Sequence, residues 1–238
     1  MLSTRIESCT VSTDATPPKA TMPDTFPAAQ ALRDFIAEDT FPCVGAKAAL
    51  NQGSITIACA GDLRSDRCDE ELTRQLQVFA GEITHDSVFQ TFAVIFEHTP
   101  ALSESAFETA LWQRLQAIHD IDAQLHRWDT EVSNDPRSPD FSMSVGGRAF
   151  YVIGLHPGAS RTARRFSDAA LVFNLHSQFQ RLKENGRYEK MQVAISERDI
   201  ALCGSKNPIL ARHGETSAAP QYSGRIVEAH WVCPFRAH

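Results

Sequence analysis

Apolar residues recur along the chain with two different spacings, and each spacing predicts a different kind of element. Between residues 103 and 126 the side chains of Phe107, Leu111, Leu115 and Ile118 follow one another at steps of three or four. That is the period of an α-helix with one buried face, and the segment opens on a serine, a residue type that caps helices. The pattern therefore predicts a long amphipathic helix.

Helical spacing also recurs at 28–39, 71–82 and 187–205. In the last of these segments Val193 and Ile195 alternate as in a strand, but Tyr188, Met191 and Leu202 fit a helix, and we favour the helix.

Short runs rich in β-branched and aromatic residues predict strands at 54–60, 88–99 and 149–155, and a further apolar stretch covers 169–175. The run 149–155 is apolar on both faces, which is typical of a strand inside a sheet. Polar, proline-containing segments predict irregular structure at 128–141 and 207–235. The mixture of elements predicts an α+β (mixed α/β) fold in which helices flank a central mixed β-sheet. We expect one domain over 28–238, preceded by a disordered leader over 1–27.

Composition and charge narrow the function classes. The chain has 238 residues, 42% of them hydrophobic, which is enough to bury a core. Its formal net charge of −6 argues against nucleic acid as a partner. The leader lacks the apolar core of a secretory signal and no run is long enough to span a bilayer, so we expect a cytoplasmic protein without membrane association. Six scattered cysteines without a CxxC pair suggest neither a zinc ribbon nor a disulfide framework.

A histidine follows the 149–155 run directly, in the stretch GLHPGASRTARR. Ligands often bind at the ends of strands in open sheets, so His156 is a candidate for coordinating a metal or haem iron. A buried imidazole that hydrogen-bonds a carbonyl is the alternative. Arg161, Arg164 and Arg165 behind it are suited to gripping carboxylates or phosphates, although a solvated basic face fits them equally well.

His176 and Cys233 are further candidate ligands. His176 lies at another transition from apolar to polar residues, in FNLHSQF, and we expect it to face the same end of the sheet as His156. Cys233 precedes a proline in WVCPF, a setting that suits either a haem thiolate or a buried structural thiol. Nucleotide-binding loops, HExxH and GxSxG are absent, so any chemistry rests on scattered side chains or on a cofactor.

Taken together, six segments of the chain resemble the YqcI/YcgG family, and within it the GntA-type branch of haem-dependent N-hydroxylases known from guanitoxin-like biosynthesis. In order they are FPCVGAKAAL, WDTEVSNDPRSPDF, GRAFYVIGLHPGASRTARRF, FNLHSQFQRLKENGRYEKM, ERDIALCGSKNPIL and GETSAAPQYSGRIVEAHWVCPF. The resemblance implies an enzyme that carries haem b. It would use O₂ and electrons from a reductase to hydroxylate a guanidine or amine nitrogen of an amino-acid-derived substrate such as arginine.

The resemblance also implies roles for the histidines and arginines. His156 matches a histidine of the GntA-type pattern and becomes the preferred axial iron ligand. His176 matches a second one and becomes the alternate ligand or a distal acid/base catalyst, with Cys233 as a thiolate alternative. Arg161, Arg164 and Arg165 become partners for the haem propionates.

Four other residues receive roles at the substrate. Tyr222 and Arg225 are candidates for the pocket wall, where Tyr222 would take part in catalysis and Arg225 would bind a substrate carboxylate. Asp129 and Asp135 are candidate partners for a cationic substrate, although a turn or cap role fits both.

The sequence departs from the GntA-type pattern at two positions. Leu175 stands where a proline is expected, and Ala218 with Ala219 stands where an acidic residue followed by alanine is expected. The substrate specificity is therefore left open, and so is the question of whether the chain forms a homodimer. Two rival functions also stay open: a binding or stress-response module without haem, and a haem sensor or carrier without turnover.

Overall fold

The structure is a computed structural model, and it describes residues 3–5, 26–83, 89–209, 216–228 and 230–238. Cys9, most of the predicted leader, the first residue of the predicted 88–99 strand and part of the predicted irregular segment 207–235 lie outside the described residues.

One mixed β-sheet organises the chain, which confirms the predicted α+β class with a central mixed sheet. Its strands run in the spatial order β1-β2-β3-β6-β5-β4. The first three pair in parallel and the others pair antiparallel. The strands are β1 (Ser3–Arg5), β2 (Ile55–Ala60), β3 (Thr91–Phe96), β4 (Met143–Val145), β5 (Arg148–Leu155) and β6 (Ala169–Leu175).

Six α-helices pack around this sheet in the described part of the chain. They are α1 (Pro27–Ala37), α2 (Val44–Asn51), α3 (Asp69–Glu82), α4 (Glu104–Asp122), α5 (His176–Glu184) and α6 (Tyr188–Cys203). The helical pattern predicted α1, α3, α4 and α6. Among the elements that the spacing did not predict, α2 and β4 have eight and three residues, too few for a period to show.

The long helix α4 illustrates how the sequence produces local structure. The Ser103 hydroxyl accepts a hydrogen bond from the backbone N–H of Ala106 at 3.2 Å and so caps the helix start. Phe107, Leu111 and Leu115 are fully buried against the sheet. The helix ends at Asp122, four residues before the predicted end.

The sheet separates two apolar cores, and the alternation of side chains along β5 shows the division. Phe150 and Val152 belong to the core that α3 and α4 cover, together with many aromatic rings. Ile153 and Leu155 belong to the core beneath α1 and α2. Because strand side chains alternate in direction, each face of β5 serves one core.

The N-terminal segment predicted as a disordered leader contributes a short strand. Ser3–Arg5 pairs in parallel with Ile57–Cys59 at the edge of the sheet. None of the helices in the described ranges has the length and apolar content required to cross a membrane.

Candidate functional site

A cavity of about 240 Å³ opens on the sheet face that α3 and α4 do not cover. Its floor is formed by side chains that alternate toward this face, including Tyr151 and Ile153 of β5 and Asn174 of β6. Pro42, Cys43 and other residues at the start of α2 form one wall, and residues of α5 form another. Most of the lining is apolar, as in the binding sites of organic molecules.

Helix α6 covers the cavity with one of its faces. Five of its side chains line the cavity at helical spacing: Tyr188, Met191, Gln192, Ile195 and Asp199. The opposite face leaves Val193 and Ile200 exposed. Gly186 before the helix and Gly204 at its end both adopt the left-handed backbone conformation, with φ of 62° and 74°. Helix α6 therefore covers the cavity with the face that makes most of its buried contacts, and we call this helix the roof of the cavity.

A buried ion pair ties this roof to the turn after β5. The Arg161 guanidinium donates through Nη2 to Asp199 Oδ2 at 2.5 Å and to the Ser205 carbonyl at 2.8 Å. Both charged side chains are about nine-tenths buried. Arg161 Nε is buried and has no hydrogen-bond partner in the described part of the chain. The cavity wall therefore contains one buried hydrogen-bond donor, Arg161 Nε, that has no acceptor among the described residues.

Arg164 stands beside Arg161 in the cavity wall, but it contacts only neutral groups. Its guanidinium donates to the carbonyls of Gly154 at 3.0 Å, Gln221 at 3.1 Å and Tyr222 at 3.2 Å. No carboxylate of the described residues forms an ion pair with it, and desolvation lowers its pKa. Because Asp199 balances Arg161, the cavity wall carries one positive charge without a partner.

The other polar groups of the lining are buried phenol, amide and thiol groups. The Tyr151 hydroxyl donates to Gln221 Oε1 at 3.0 Å, and burial raises its pKa to about 12. Cys43 is the N-cap of α2, and its sulfur accepts from the Ala46 N–H at 3.4 Å. Burial raises the pKa of this thiol, while the backbone amides of α2 and the charge of Arg164 act in the opposite direction.

The structure places His156 outside the cavity lining. The ring is 2% exposed and stacks on Phe107 at 4.1 Å between centroids, on the α4 side of the sheet. Burial lowers its pKa to about 4, and its Nδ1 has no hydrogen-bond partner within the described residues. The neutral imidazole therefore packs as an apolar ring.

His176 is also buried outside the cavity lining, as the first residue of α5. Its Nδ1 lies 2.6 Å from Ser142 Oγ, and its Nε2 lies 3.2 Å from Gln180 Nε2. Burial lowers its pKa. Both ring nitrogens thus face side chains that can donate to or accept from them.

Tyr222 and Arg225 form structural contacts away from the cavity. Tyr222 is fully buried and stacks on Trp112, and its hydroxyl accepts from the Met143 N–H at 3.2 Å and donates to the Phe150 carbonyl at 3.3 Å. Burial raises its pKa. Arg225 forms an ion pair with the buried Glu108. Neither side chain lines the cavity.

The remaining predicted residues fix loops or lie at other surfaces. Asp129 accepts from the Ala149 N–H at 2.9 Å, which ties its loop to β5. Asp135 accepts from the Arg137 N–H, two residues on, at 2.9 Å, which fixes a turn. Arg165 is exposed and donates to the Ala159 carbonyl at 3.0 Å. Burial raises the pKa of Cys233 to about 12. These four side chains do not line the cavity.

Of the predicted site residues, the structure therefore brings Arg161 and Arg164 together at one cavity. No sequence pattern singled out Cys43, Tyr151 or Asp199 as site residues. The alternation of side chains along β5 could have identified Tyr151 as a residue of the same sheet face. No local pattern could relate Cys43 or Asp199 to Arg164, because both are far from it in sequence. Among the described residues no group of three or more histidine, cysteine, aspartate or glutamate side chains is placed to hold a metal ion.

Comparisons with known proteins agree with the resemblance at the level of the family. The model of the YqcI/YcgG family matches residues 32–236. The chain is 28% identical over 141 residues to the uncharacterized protein YcgG of Bacillus subtilis (strain 168). That match covers 57% of this chain and spans just over half, 54%, of the length of YcgG. No solved structure matches the chain.

Proposed function

The chain belongs to the YqcI/YcgG family, and from this membership and the cavity beneath α6 we propose that it is a haem-dependent N-oxygenase of the GntA-type branch. The cavity would contribute to the binding of haem b and of a small amine or guanidine substrate; its volume of about 240 Å³ lies below the range usual for sites that enclose a drug-sized ligand, so it would enclose only part of the haem. When bound, haem supplies the activation of O₂ with electrons from a reductase. A cytoplasmic location is part of the same proposal.

The observation that carries the proposal is the Arg164 guanidinium, a partly buried cation in an apolar wall without a carboxylate partner among the described residues. Its present acceptors are three backbone carbonyls. Burying a charge is costly unless an opposite charge accompanies it, so the site favours a ligand that brings an anion. Haem combines an apolar macrocycle with two carboxylates, so the apolar lining and the charge of Arg164 support this choice of ligand.

The chain's own residues would then act by binding and by excluding water. Arg164 and the free Nε of Arg161 would hold carboxylates, and the face of α6 that lines the cavity would cover the bound molecules. The Tyr151 phenol, which keeps its proton because of its raised pKa, would remain a hydrogen-bond donor. The ligand roles proposed for His156 and His176 have no geometric support here, because neither ring lines the cavity.

Ala218 bears on the substrate. It lines the cavity and is 5% exposed, and it stands where the resemblance expects an acidic residue. A cationic guanidine would not find a carboxylate at that position. We therefore propose that the substrate's nitrogen is recognised in its neutral form or through another wall of the cavity.

Titration with haem tests the proposal. We expect a Soret band to develop at one haem per chain, and Arg164→Gln to weaken binding by a factor of ten or more, since a buried charged hydrogen bond contributes about 1.5–3 kcal/mol. Arg165→Gln is the matched control, because Arg165 also donates to carbonyls but lies outside the cavity. Equal losses in the two variants would contradict the assignment. Reaction of the haem-loaded protein with reductant, O₂ and amines, followed by mass spectrometry for one added oxygen, separates an oxygenase from a haem carrier.

A second candidate function has its own support. Because both predicted histidine ligands lie outside the cavity, a binding module for apolar organic anions fits the same wall without haem. This candidate predicts a protein that stays colourless with haem and that carboxylates such as fatty or aromatic acids stabilise thermally.

A further inference from the structure

We propose that the substrate of the cavity beneath α6 is a small aromatic carboxylate with an uncharged amine, of the aminobenzoate class, and not an arginine-like cation. This inference rests on the proposed function in one respect, because it takes this cavity as the substrate site. It names the substrate class, which the sequence patterns left open.

The charges of the lining favour a ligand that carries one negative charge. Among the described lining residues three side chains are charged, namely Arg161, Arg164 and Asp199. Asp199 neutralises Arg161, so the charge of Arg164 is left over. A carboxylate would balance that charge, whereas arginine carries two cationic groups and would be repelled by it.

The hydrogen bonds of the two guanidinium groups leave donors free for a carboxylate. A guanidinium has five N–H donors, and the described bonds of Arg164 use Nη1 twice and Nη2 once. Its Nε–H and one Nη2–H therefore have no acceptor among the described residues. These two donors form the edge that binds a carboxylate through both of its oxygens.

An independent feature of the same wall also indicates a ligand oxygen. Arg161 Nε is a buried donor without a partner among the described residues, in a side chain about nine-tenths buried. Native proteins rarely leave such a donor without an acceptor unless a water, ion or ligand supplies one. A carboxylate oxygen has lone pairs for more than one donor, so the group that meets Arg164 also suits this donor.

The apolar part of the lining favours a single aromatic ring as the body of the ligand. Phe41, Phe89 and Phe179 all contribute to the lining. Aromatic side chains make favourable offset-stacked or edge-to-face contacts with another ring. The cavity volume of about 240 Å³ lies below the range usual for drug-sized ligands, so one ring with short substituents fits it best.

The nitrogen of an aromatic amine suits the remaining polar groups because it is uncharged at neutral pH. Conjugation with the ring draws in its lone pair, so its N–H groups donate without a positive charge. The amide side chains of Asn174 and Gln192 offer neutral acceptors in the lining. An aliphatic ammonium would require a carboxylate, and Asp199, the one lining carboxylate among the described residues, is already paired.

Calorimetric titration of the full chain, without haem, tests this substrate class. We expect 4-aminobenzoate to bind at least about tenfold more tightly than 4-aminobenzamide, which has the same ring and amine but no charge. Arginine should bind more weakly than both compounds. Because haem is left out, the titration reports on the substrate site separately from the binding of haem.

Two variants with matched controls locate the binding groups. Arg164→Gln should abolish the preference for 4-aminobenzoate over 4-aminobenzamide, whereas Arg165→Gln, outside the cavity, should keep it. Ala218→Asp adds a carboxylate to the lining, at the start of a short helical turn where aspartate is well accommodated. It should weaken the binding of 4-aminobenzoate and strengthen that of arginine. Ala201→Asp, at an exposed position of α6 outside the lining, should do neither.

The outcomes separate this inference from the function on which it rests. Tight binding of 4-aminobenzoate that Arg164→Gln and Ala218→Asp weaken, and their controls do not, supports it. Arginine or 4-aminobenzamide binding as tightly as 4-aminobenzoate overturns it, and so does the absence of binding by 4-aminobenzoate; the haem titration then still decides the oxygenase function. Binding of 4-aminobenzoate by a chain that takes up no haem supports the ligand class and refutes the oxygenase. If Arg164→Gln does not fold, the three compounds and Ala218→Asp still decide the question.

Discussion

Breaking the Arg161–Asp199 ion pair should destabilise the protein and loosen the roof of the cavity. In Asp199→Asn the side chain keeps its shape but loses its charge, which leaves the Arg161 guanidinium buried without a counter-ion. Removing one partner of a buried pair costs about 3–5 kcal/mol. Arg161 retains its bond to the Ser205 carbonyl and borders a cavity, so we expect the lower end, about 3 kcal/mol.

Urea unfolding measures this loss. With a slope of about 2–3 kcal/mol/M, a loss of 3 kcal/mol lowers the midpoint by about 1 M or more. The double variant Arg161→Met, Asp199→Leu removes both charges and should recover most of the lost stability, since apolar replacements of buried pairs are often neutral. The single variants Arg161→Met and Asp199→Leu complete the cycle, and its coupling free energy should be about 2 kcal/mol.

An exposed ion pair of the same chain provides the matched control. Arg137 and Asp135 lie 2.9 Å apart with side chains 84% and 43% exposed, and such pairs contribute less than about 1 kcal/mol. Asp135→Asn should therefore leave the urea midpoint nearly unchanged. If Asp199→Asn costs no more than Asp135→Asn, the claim that this ion pair secures α6 is refuted.

Three further predictions concern stability. Gly154→Ala should lower the free energy of unfolding, measured in urea, by at least about 2 kcal/mol, because a Cβ there would lie 2.6 Å from the Phe107 ring. Gly81→Ala, in a helix with open space around the position, should instead raise the free energy of unfolding by about 0.5–1 kcal/mol. Equal effects of the two substitutions would contradict the packing argument. The pKa of His156 is lowered from 6.5 to about 4, so the unfolded state binds the proton more readily, and stability is complete above pH 6.5 and falls toward pH 4 by up to about 1.4 kcal/mol per pH unit. His156→Gln should flatten that dependence in urea midpoints measured at neutral and acidic pH. Tyr222→Phe should cost about 1–3 kcal/mol because the buried Met143 N–H loses its acceptor, and thermal unfolding within error of the wild type would show that another group replaces the hydroxyl.

The regular elements were largely predictable because their signals are local. Helix α4 follows from the spacing of Phe107, Leu111 and Leu115 and from the Ser103 cap, and strand β5 follows from its apolar run. The family likewise followed from six ordered segments. The helix α2 was missed because eight residues with a glycine carry too weak a period.

The period of two along β5 also held information about His156. Residues 151, 153 and 155 line the cavity, whereas Gly154 lies against Phe107 on the opposite side of the sheet. Continuing that alternation places His156 on the Phe107 side, where the structure has it. The sequence therefore contained a reason to separate this histidine from the arginines that follow it.

Tertiary structure alone decided which side chains share the cavity. Cys43, Arg164 and Asp199 come from α2, the turn after β5 and α6, and no local pattern relates their positions. They meet because β6 lies between β3 and β5 in the sheet and α6 crosses the face that α3 and α4 leave uncovered. Local spacing determines the elements through backbone geometry, but the proximity of distant residues depends on how the faces of those elements are buried against one another.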